Sequence, residues 1–369
     1  MVSIIVQSTN SDKLKFSHLI LFLAIFSLAH FSYGQAPKYS NEFLKIGVGA
    51  RAFGMGNSVA ASINDVSSGY WNPAGLNKMN SDFQVALMHS EYFAGIAKYD
   101  YGAFASHIDS VSSIGISVIR FGVDDIMNTT QLIDNNGNVD YNRISAFSAA
   151  DYAFLFTYSR KSAIEGLSYG ANVKVVHRNV GEFANAWGFG FDVGAQYTKN
   201  KWLFGAMARD ITGTFNAWNY SLDEETVDAF LATGNEIPKN DVEVTLPTLI
   251  LGAARGFDLG RDFGLLAEVD FDLTFDGMRN TVIKSDLLSI DPHLGVEASY
   301  KNLFFLRLGV GNFQMTTDFG LRKTTYQPNF GVGVKLNRVS IDYALTDIGD
   351  RSVGLYSNIF SLKLDINKK

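Results

Sequence analysis

Alternate residues of the stretch Asp134-Asn135-Asn136-Gly137-Asn138-Val139-Asp140 carry side-chain oxygens, at Asp134, Asn136, Asn138 and Asp140. That is the spacing of a calcium loop, but the match ends there. Val139 stands where an EF-hand needs its glycine, and Ser145 where it needs the closing glutamate. A hairpin loop of Asx turns around Asn136-Gly137 fits better. For acid–base chemistry the candidates past the first 34 residues are His89, His107, His177 and His293, each in a different segment. A membrane-bound barrel hydrolase would need a Ser–His pair held by a third polar group, and no local signature of one is present. Gly49 and Gly54 have glycine-loop spacing without the strand and helix of a dinucleotide site. Asp223, Glu224, Glu225 and Asp228 read as a solvated face rather than a metal site. With no cysteine there is no disulfide, thiolate ligand or lipidated N-terminal cysteine. A net charge of -6 without a basic patch gives no footprint for nucleic acid. The expectation is a protein that is not an enzyme, with no metal and no cofactor.

The elements that carry these residues alternate apolar and polar side chains. From Phe263 to Phe275 one face reads Phe263, Leu265, Ala267, Val269, Phe271, Leu273, Phe275, and the other carries Glu268, Asp270 and Asp272. Trp187, Phe189, Phe191, Val193, Ala195 and Tyr197 likewise oppose Gly188, Gly190, Asp192, Gly194, Gln196 and Thr198. Side chains of a strand point to opposite sides with period two. Such strands suit lipid on one side and a polar interior on the other, and only a closed barrel satisfies all their backbone groups there. Strands are predicted at 82–89, 97–107, 111–123, 150–160, 167–179, 185–199, 201–213, 243–256, 262–275, 290–301, 303–312, 328–337, 338–347 and 354–366. The fold class is therefore all-β, a 14-stranded antiparallel transmembrane barrel over residues 81–369.

Connections alternate too. Tight turns fall at 108–110, Asn200, Asn302 and Asn337–Arg338, and long loops at 124–149, 214–242, 276–289 and 313–327. Outer-membrane barrels have short periplasmic turns and longer external loops, so both termini are expected on the periplasmic side. Residues 1–34 read as a signal peptide: Lys13 and Lys15, an apolar run from Leu19 to Ala29 too short to span a bilayer, and small residues Ser32 and Gly34 before a cut at Gln35. A signal plus amphipathic strands places the chain in the outer membrane of a Gram-negative bacterium, in contact with its lipid.

Residues 35–80 break the alternation. Gly47, Gly49, Gly54 and Gly56 permit bends and close approach, Asn64-Asp65 suits a turn or cap, and Asn72-Pro73 opens a short helix that Gly75 ends. A compact segment of small residues before a barrel is expected to fold as a hatch in the lumen. Lys174, Arg178, Asp192, Glu268, Asp270, Asp272, Lys335, Asp342, Lys363 and Asp365 face the lumen with both signs, able to close it by ion pairs or to line a water path. Leu155, Leu203, Met207, Leu266 and Met315 either line an apolar pocket or pack against the hatch.

Ala50-Arg51-Ala52, Gly54-Met55-Gly56, Asn64-Asp65 and Trp71-Asn72-Pro73-Ala74-Gly75-Leu76 resemble the N-terminal signature of the PorV/PorQ family, itself akin to the FadL fatty-acid channels. Arg51, Gly54, Gly56, Asp65, Trp71, Asn72, Pro73 and Gly75 are the residues of this chain that carry it, as a structural hatch motif. Gly56-Asn57 replaces the family's frequent Gly-Gly, which suggests a divergent PorV paralogue. The resemblance implies a fourteen-stranded FadL-like barrel with a hatch. It also implies an accessory role in type IX protein secretion, binding translocon or attachment-complex subunits or the C-terminal signal domains of cargo at the external face. Phe215, Trp218 and Tyr220, in loop 214–242, would be aromatic anchors for such a partner, or else belong to an aromatic girdle and a self-packed loop. The alternative is a FadL-like transporter of hydrophobic small molecules. Under either reading the purified protein shows heat-modifiable migration in gels and strand-type circular dichroism; a chain lacking both is not this barrel.

Overall fold

The computed structural model describes residues 40–93, 95–133, 138–318, 321–346 and 357–367. The expected signal peptide and residues 134–137 of the calcium-like stretch lie outside the described residues.

Among these, one antiparallel sheet holds seventeen strands: β1 (Phe83–Tyr92), β2 (Ala97–His107), β3 (Ser112–Asn128), β4 (Ser145–Lys161), β5 (Leu167–Val180), β6 (Ala184–Lys199), β7 (Trp202–Arg209), β8 (Thr214–Tyr220), β9 (Val242–Thr245), β10 (Thr248–Leu259), β11 (Phe263–Thr274), β12 (Ile283–Lys284), β13 (Ser289–Tyr300), β14 (Phe304–Asp318), β15 (Leu321–Leu336), β16 (Val339–Thr346) and β17 (Ser357–Ile366). β8 continues the line of β7, β9 continues that of β10, and β12 has two residues. The remaining fourteen close on themselves, because β1 pairs with both β2 and β17. Closure leaves no edge with unpaired backbone groups.

Outward positions form an apolar belt, as at Phe189, Phe191, Leu306, Leu308, Phe330 and Val332, all well exposed. Asn200, Asn302 and Asn337 sit at positive φ in the tight turns, the region asparagine tolerates best among non-glycine residues. The C-terminal strand ends among these turns. Ser40, where the described chain begins, instead touches Thr245 in the half of the barrel that carries the long connections.

Three expectations need correcting. The loops expected at 124–149 and 313–327 are shorter, because β3 runs on to Asn128, β4 starts at Ser145, and β14 and β15 extend to Asp318 and Leu321 as a projecting hairpin. Segment 214–242 is not a plain loop: it holds β8 and the helix Glu224–Ala232, capped by the Asp223 carboxylate accepting from Thr226 N–H. The strand expected at 201–213 breaks after Arg209. Asp210 (φ 54) and Gly213 (φ 72) take left-handed conformations there, opposite Pro247, which has no N–H for the ladder. Inside this break Lys174 Nζ lies 3.1 Å from Asp192 Oδ1 and 2.5 Å from Asp210 Oδ1, all three side chains buried. Lys174→Met leaves these carboxylates without their ammonium. It should cost about 3–5 kcal/mol and lower the temperature at which the heat-modifiable band unfolds; an unchanged temperature would show that the cluster does not hold the break.

Candidate functional site

The candidate site is the interior. Residues 40–81 pack inside the barrel as a 3-10 turn Glu42–Lys45, short helices Ala50–Gly54 and Ser68–Trp71, and a 3-10 helix Pro73–Lys78. Pro73 fits the first position of its helix, and Asn72 caps it by accepting from Ala74 N–H. Phe43, Leu44, Phe53, Met55 and Leu76 pack against Tyr99, Tyr101, Ile119, Leu155, Val176 and Ile359 of the wall in one apolar cluster. Met207 joins Ala60 and Ile250 in a second cluster, and Leu266 packs against the first. Leu155, Met207 and Leu266 are therefore hatch contacts.

The hatch backbone is held by side chains from the wall. Val59 and Ala60 N–H both donate to Asp270 Oδ2 at 2.8 Å, and Ala61 and Ser62 N–H donate to Glu268 Oε1 at 2.7 and 3.2 Å. Gln196 Nε2 donates to Ala60 O and Ile63 O, and Asn172 Nδ2 to Gly69 O. Arg209 reaches Tyr70 O at 3.2 Å and covers the Tyr70 ring.

All eight signature residues lie in this plug. Arg51 grips Glu297 with Nε at 3.0 Å and Nη2 at 3.2 Å. A Cβ at Gly54 would meet Gly331 Cα at 2.9 Å, and one at Gly56 would meet Val310 N at 2.7 Å. Asp65 Oδ2 pairs with Lys363 Nζ at 2.6 Å. Trp71 Nε1 donates to Val48 O, and Asn72 Nδ2 to Ala60 O and Ala195 O. Pro73 lies against Gly170 and Gly194, and Gly75 against Ile63 O. Glu268, Asp270, Glu297, Gln196 and Arg209 are the partners that sequence reasoning did not assign. Strand parity put Glu268 and Asp270 in the lumen but could not name their hatch amides.

Two cavities are present, each ≈ 450 Å³, and the hatch lines only the first. The first lies over the hatch between β10 and β15, lined by Glu42, Arg209, Asp272, Arg279, His293 and several amides, with Trp71 and Phe53 in its floor. His293 Nδ1 donates to Gly56 O at 2.9 Å, so its Nε2 faces Asp291 and Asp272 at 3.8 and 3.9 Å. This is a polar, mixed-charge cup. The second cavity lies among the long connections on the β3–β8 side and is apolar: Ile126, Met127, Phe147, Phe183, Trp218 and Phe230 line most of it.

The three expected partner anchors do not act together. All lie on strand β8, where period two sends Phe215 outward, beside Phe189, and Trp218 and Tyr220 inward to the apolar cavity. Trp218 Nε1 donates to Glu243, and the Arg178 guanidinium stacks over its ring. Among the described residues no group of three or more His, Cys, Asp or Glu is placed to hold a metal. His107 Nδ1 does lie 2.8 Å from Ser113 Oγ, with Nε2 on Met79 O, which is base-to-nucleophile geometry. Ser113 has no exposed surface, so the pair offers a substrate no access and serves to join hatch and wall.

No protein-family model matches the chain, and no curated protein does. Solved structures do match its fold. The toluene transporter TbuX of Ralstonia pickettii superposes with a TM-score of 0.53 at 13% identity, covering 87% of this chain and 99% of that one. The CymD monoaromatic hydrocarbon channel gives 0.53 at 13%, covering 88% and 98%. The toluene transporter TodX of P. putida gives 0.52 at 12%, covering 88% and 100%. The shared property is the fold, a closed fourteen-stranded FadL-like barrel.

The Asp65 carboxyl makes hatch anchoring pH-dependent. Burial alone would raise its pKa, but the Lys363 ammonium overrides this and holds it at about 2. A depressed folded value stabilises above the unfolded pKa, near 4, and the gain disappears as pH falls through about 2. Asp65→Asn should therefore cost about 2 kcal/mol at neutral pH. The difference in unfolding free energy between the two proteins should hold from pH 7 to about 5 and vanish near pH 2; a difference independent of pH would exclude the ion pair as an anchor.

Proposed function

We propose that the protein is an outer-membrane barrel that takes up a hydrophobic small molecule from the external face. The observation that carries this is the apolar cavity among the long connections, ringed by Phe147, Phe183, Trp218 and Phe230. Its volume suits a monoaromatic hydrocarbon or a short acyl chain. The tight turns and C-terminal strand face the periplasm in this reading, and the apolar belt faces lipid. Passage straight down the lumen is opposed by the polar, hydrogen-bonded hatch. The role is binding and transfer, without catalysis. That three structures of the same fold carry the names of toluene transporters or a hydrocarbon channel agrees with it.

A second reading, an accessory barrel of type IX secretion related to PorV or PorQ, rests on the hatch signature around Arg51 and Trp71. Both residues are occupied in holding the plug, and this packing alone accounts for them. Its partners would be a translocon barrel, attachment-complex subunits or cargo signal domains. Two experiments separate the readings. Toluene or octanoate titrated into protein in nanodiscs should quench Trp218 fluorescence, and Phe230→Ala should weaken binding about tenfold, the loss of about 1.4 kcal/mol of apolar contact. Absence of binding by the parent protein would overturn the first reading. Gentle extraction of a tagged copy should then return the barrel with lipid; recovery of a giant translocon barrel or signal-domain cargo would establish the second.

A further inference from the structure

The outer wall is apolar over most of its circumference. On β6 the outward residues run from Tyr197 to Trp187 without a charge. On β1 to β3 the apolar stretch is cut short. β1 presents Phe83, Val85 and Leu87, and then His89 and Glu91 on the same side. β2 presents Phe104 and Gly102, then Asp100 and Lys98; β3 presents Ile114, Ile116 and Val118, then Arg120 and Asp124. Strand register sets His89 opposite Asp100, Asp100 opposite Arg120, and Glu91 opposite Lys98. His89 Nδ1 lies 2.7 Å from Asp100, Arg120 Nη1 3.5 Å from Asp100, and Lys98 Nζ 3.3 Å from Asp124. The side chains of His89 and Glu91 are 52% and 60% exposed.

Their depth is the anomaly. His89 is six residues along β1 from Phe83, at the tight-turn end. That is about 20 Å along a strand, and about 15 Å along the membrane normal at the usual tilt, within an apolar band about 25 Å tall. Charged groups on a lipid-facing wall are destabilising, and most so near the midplane. A lipid phosphate would not cover these, since three carboxylates outnumber the two fixed cations.

We propose that the outer face of β1–β3 is buried within the membrane against a second copy of the chain. A face with both signs interleaved offers no match to a surface of single charge. Rotated about a two-fold axis, it meets its own complement. Five strands, β17 through β4, span about 24 Å by about 25 Å, so two copies would bury about 1,200 Å², the lower limit of a stable interface. The inference requires that the chain be a membrane-spanning barrel, and is independent of what it carries.

The chain has no cysteine, so single cysteines report cleanly. Gly102→Cys and Val118→Cys lie just below the charges; Val193→Cys and Val332→Cys lie on other walls. A Cβ at Gly102 meets only Leu87 Cδ2, at 3.6 Å. Cross-linked by a short bis-maleimide in outer-membrane preparations, the first two should give a band of twice the mass and the other two none. Adding Asp100→Leu and Arg120→Leu should reduce that band about fivefold or more; if that variant does not fold, Arg120→Gln serves. With heat-modifiable migration retained, four outcomes would each overturn the proposal. These are no dimer band, equal bands at all four sites, a band indifferent to the charges, or an adduct of another mass. Loss of heat-modifiable migration in the cysteine-free parent would instead overturn the membrane barrel itself.

Discussion

Four consecutive amides of the hatch, from Val59 to Ser62, point at two carboxylates of one strand, and the arrangement of the interior follows from that contact. A single helical turn begins at Val59, whose carbonyl accepts from Ile63 N–H. Its first N–H groups have no partner of their own, as at any helix start. Buried without one they would cost the full desolvation of each group. Glu268 and Asp270 supply the acceptors, and on the other side of the turn Gln196 of the wall donates to the carbonyl of Ala60, which also accepts from Asn72 of the hatch itself. The wall thus gives acids to amides and amides to carbonyls. A barrel lumen lined with such groups is incomplete without a backbone to satisfy them, and the hatch backbone is unsatisfied without the lumen.

Close approach is the second condition. Hydrogen bonds of this length require the hatch to lie directly on the wall, and inward glycines make the room. Side chains at Gly309 and Gly205 would strike Gly56 N at 2.1 Å and Ala60 O at 2.3 Å. The glycine-rich signature of the hatch and the inward glycines of β6, β7, β14 and β15 are two halves of one packing requirement. Arg51 on Glu297, and Arg307 joining Glu297 to Asp342, then lock the contact with charge.

The sequence reveals the barrel because period-two alternation is a local property: Trp187 to Thr198 states its two faces without reference to any other strand. Asparagines at positive φ mark the tight turns for the same reason. The hatch is legible as a failure of alternation. Its partners are not, because Ala61 and Glu268 are 207 positions apart, and parity gives a side chain's face but not the atom it meets. The break after β7 is marked in the sequence by Asp210 and Thr212 at the outward parity and Ile211 at the inward one, and by Pro247 on the neighbouring strand; an expected strand over 201–213 passes over these signs. Phe215, Trp218 and Tyr220 were grouped by type, whereas odd and even positions of β8 belong to different solvents.

The break itself shows how this wall tolerates irregularity. Backbone that leaves its ladder at membrane depth is viable only where protein or a water-filled space satisfies it. Between Arg209 and Thr214 the ladder lapses, and the polar groups that replace it come from the lumen side. Asp210 N–H donates to Asp192 Oδ1 at 2.8 Å, Asn172 donates to the other oxygen of Asp192, and Thr214 Oγ1 donates to Asp210. Two carboxylates this close could not remain buried without a cation, and Lys174 is the residue that reaches both. The Asn172, Lys174 and Asp192 side chains read in isolation as an unremarkable polar face. Set opposite Asp210 they form a substitute for missing strand hydrogen bonds, so a buried charged cluster of the wall lies where its backbone leaves the ladder.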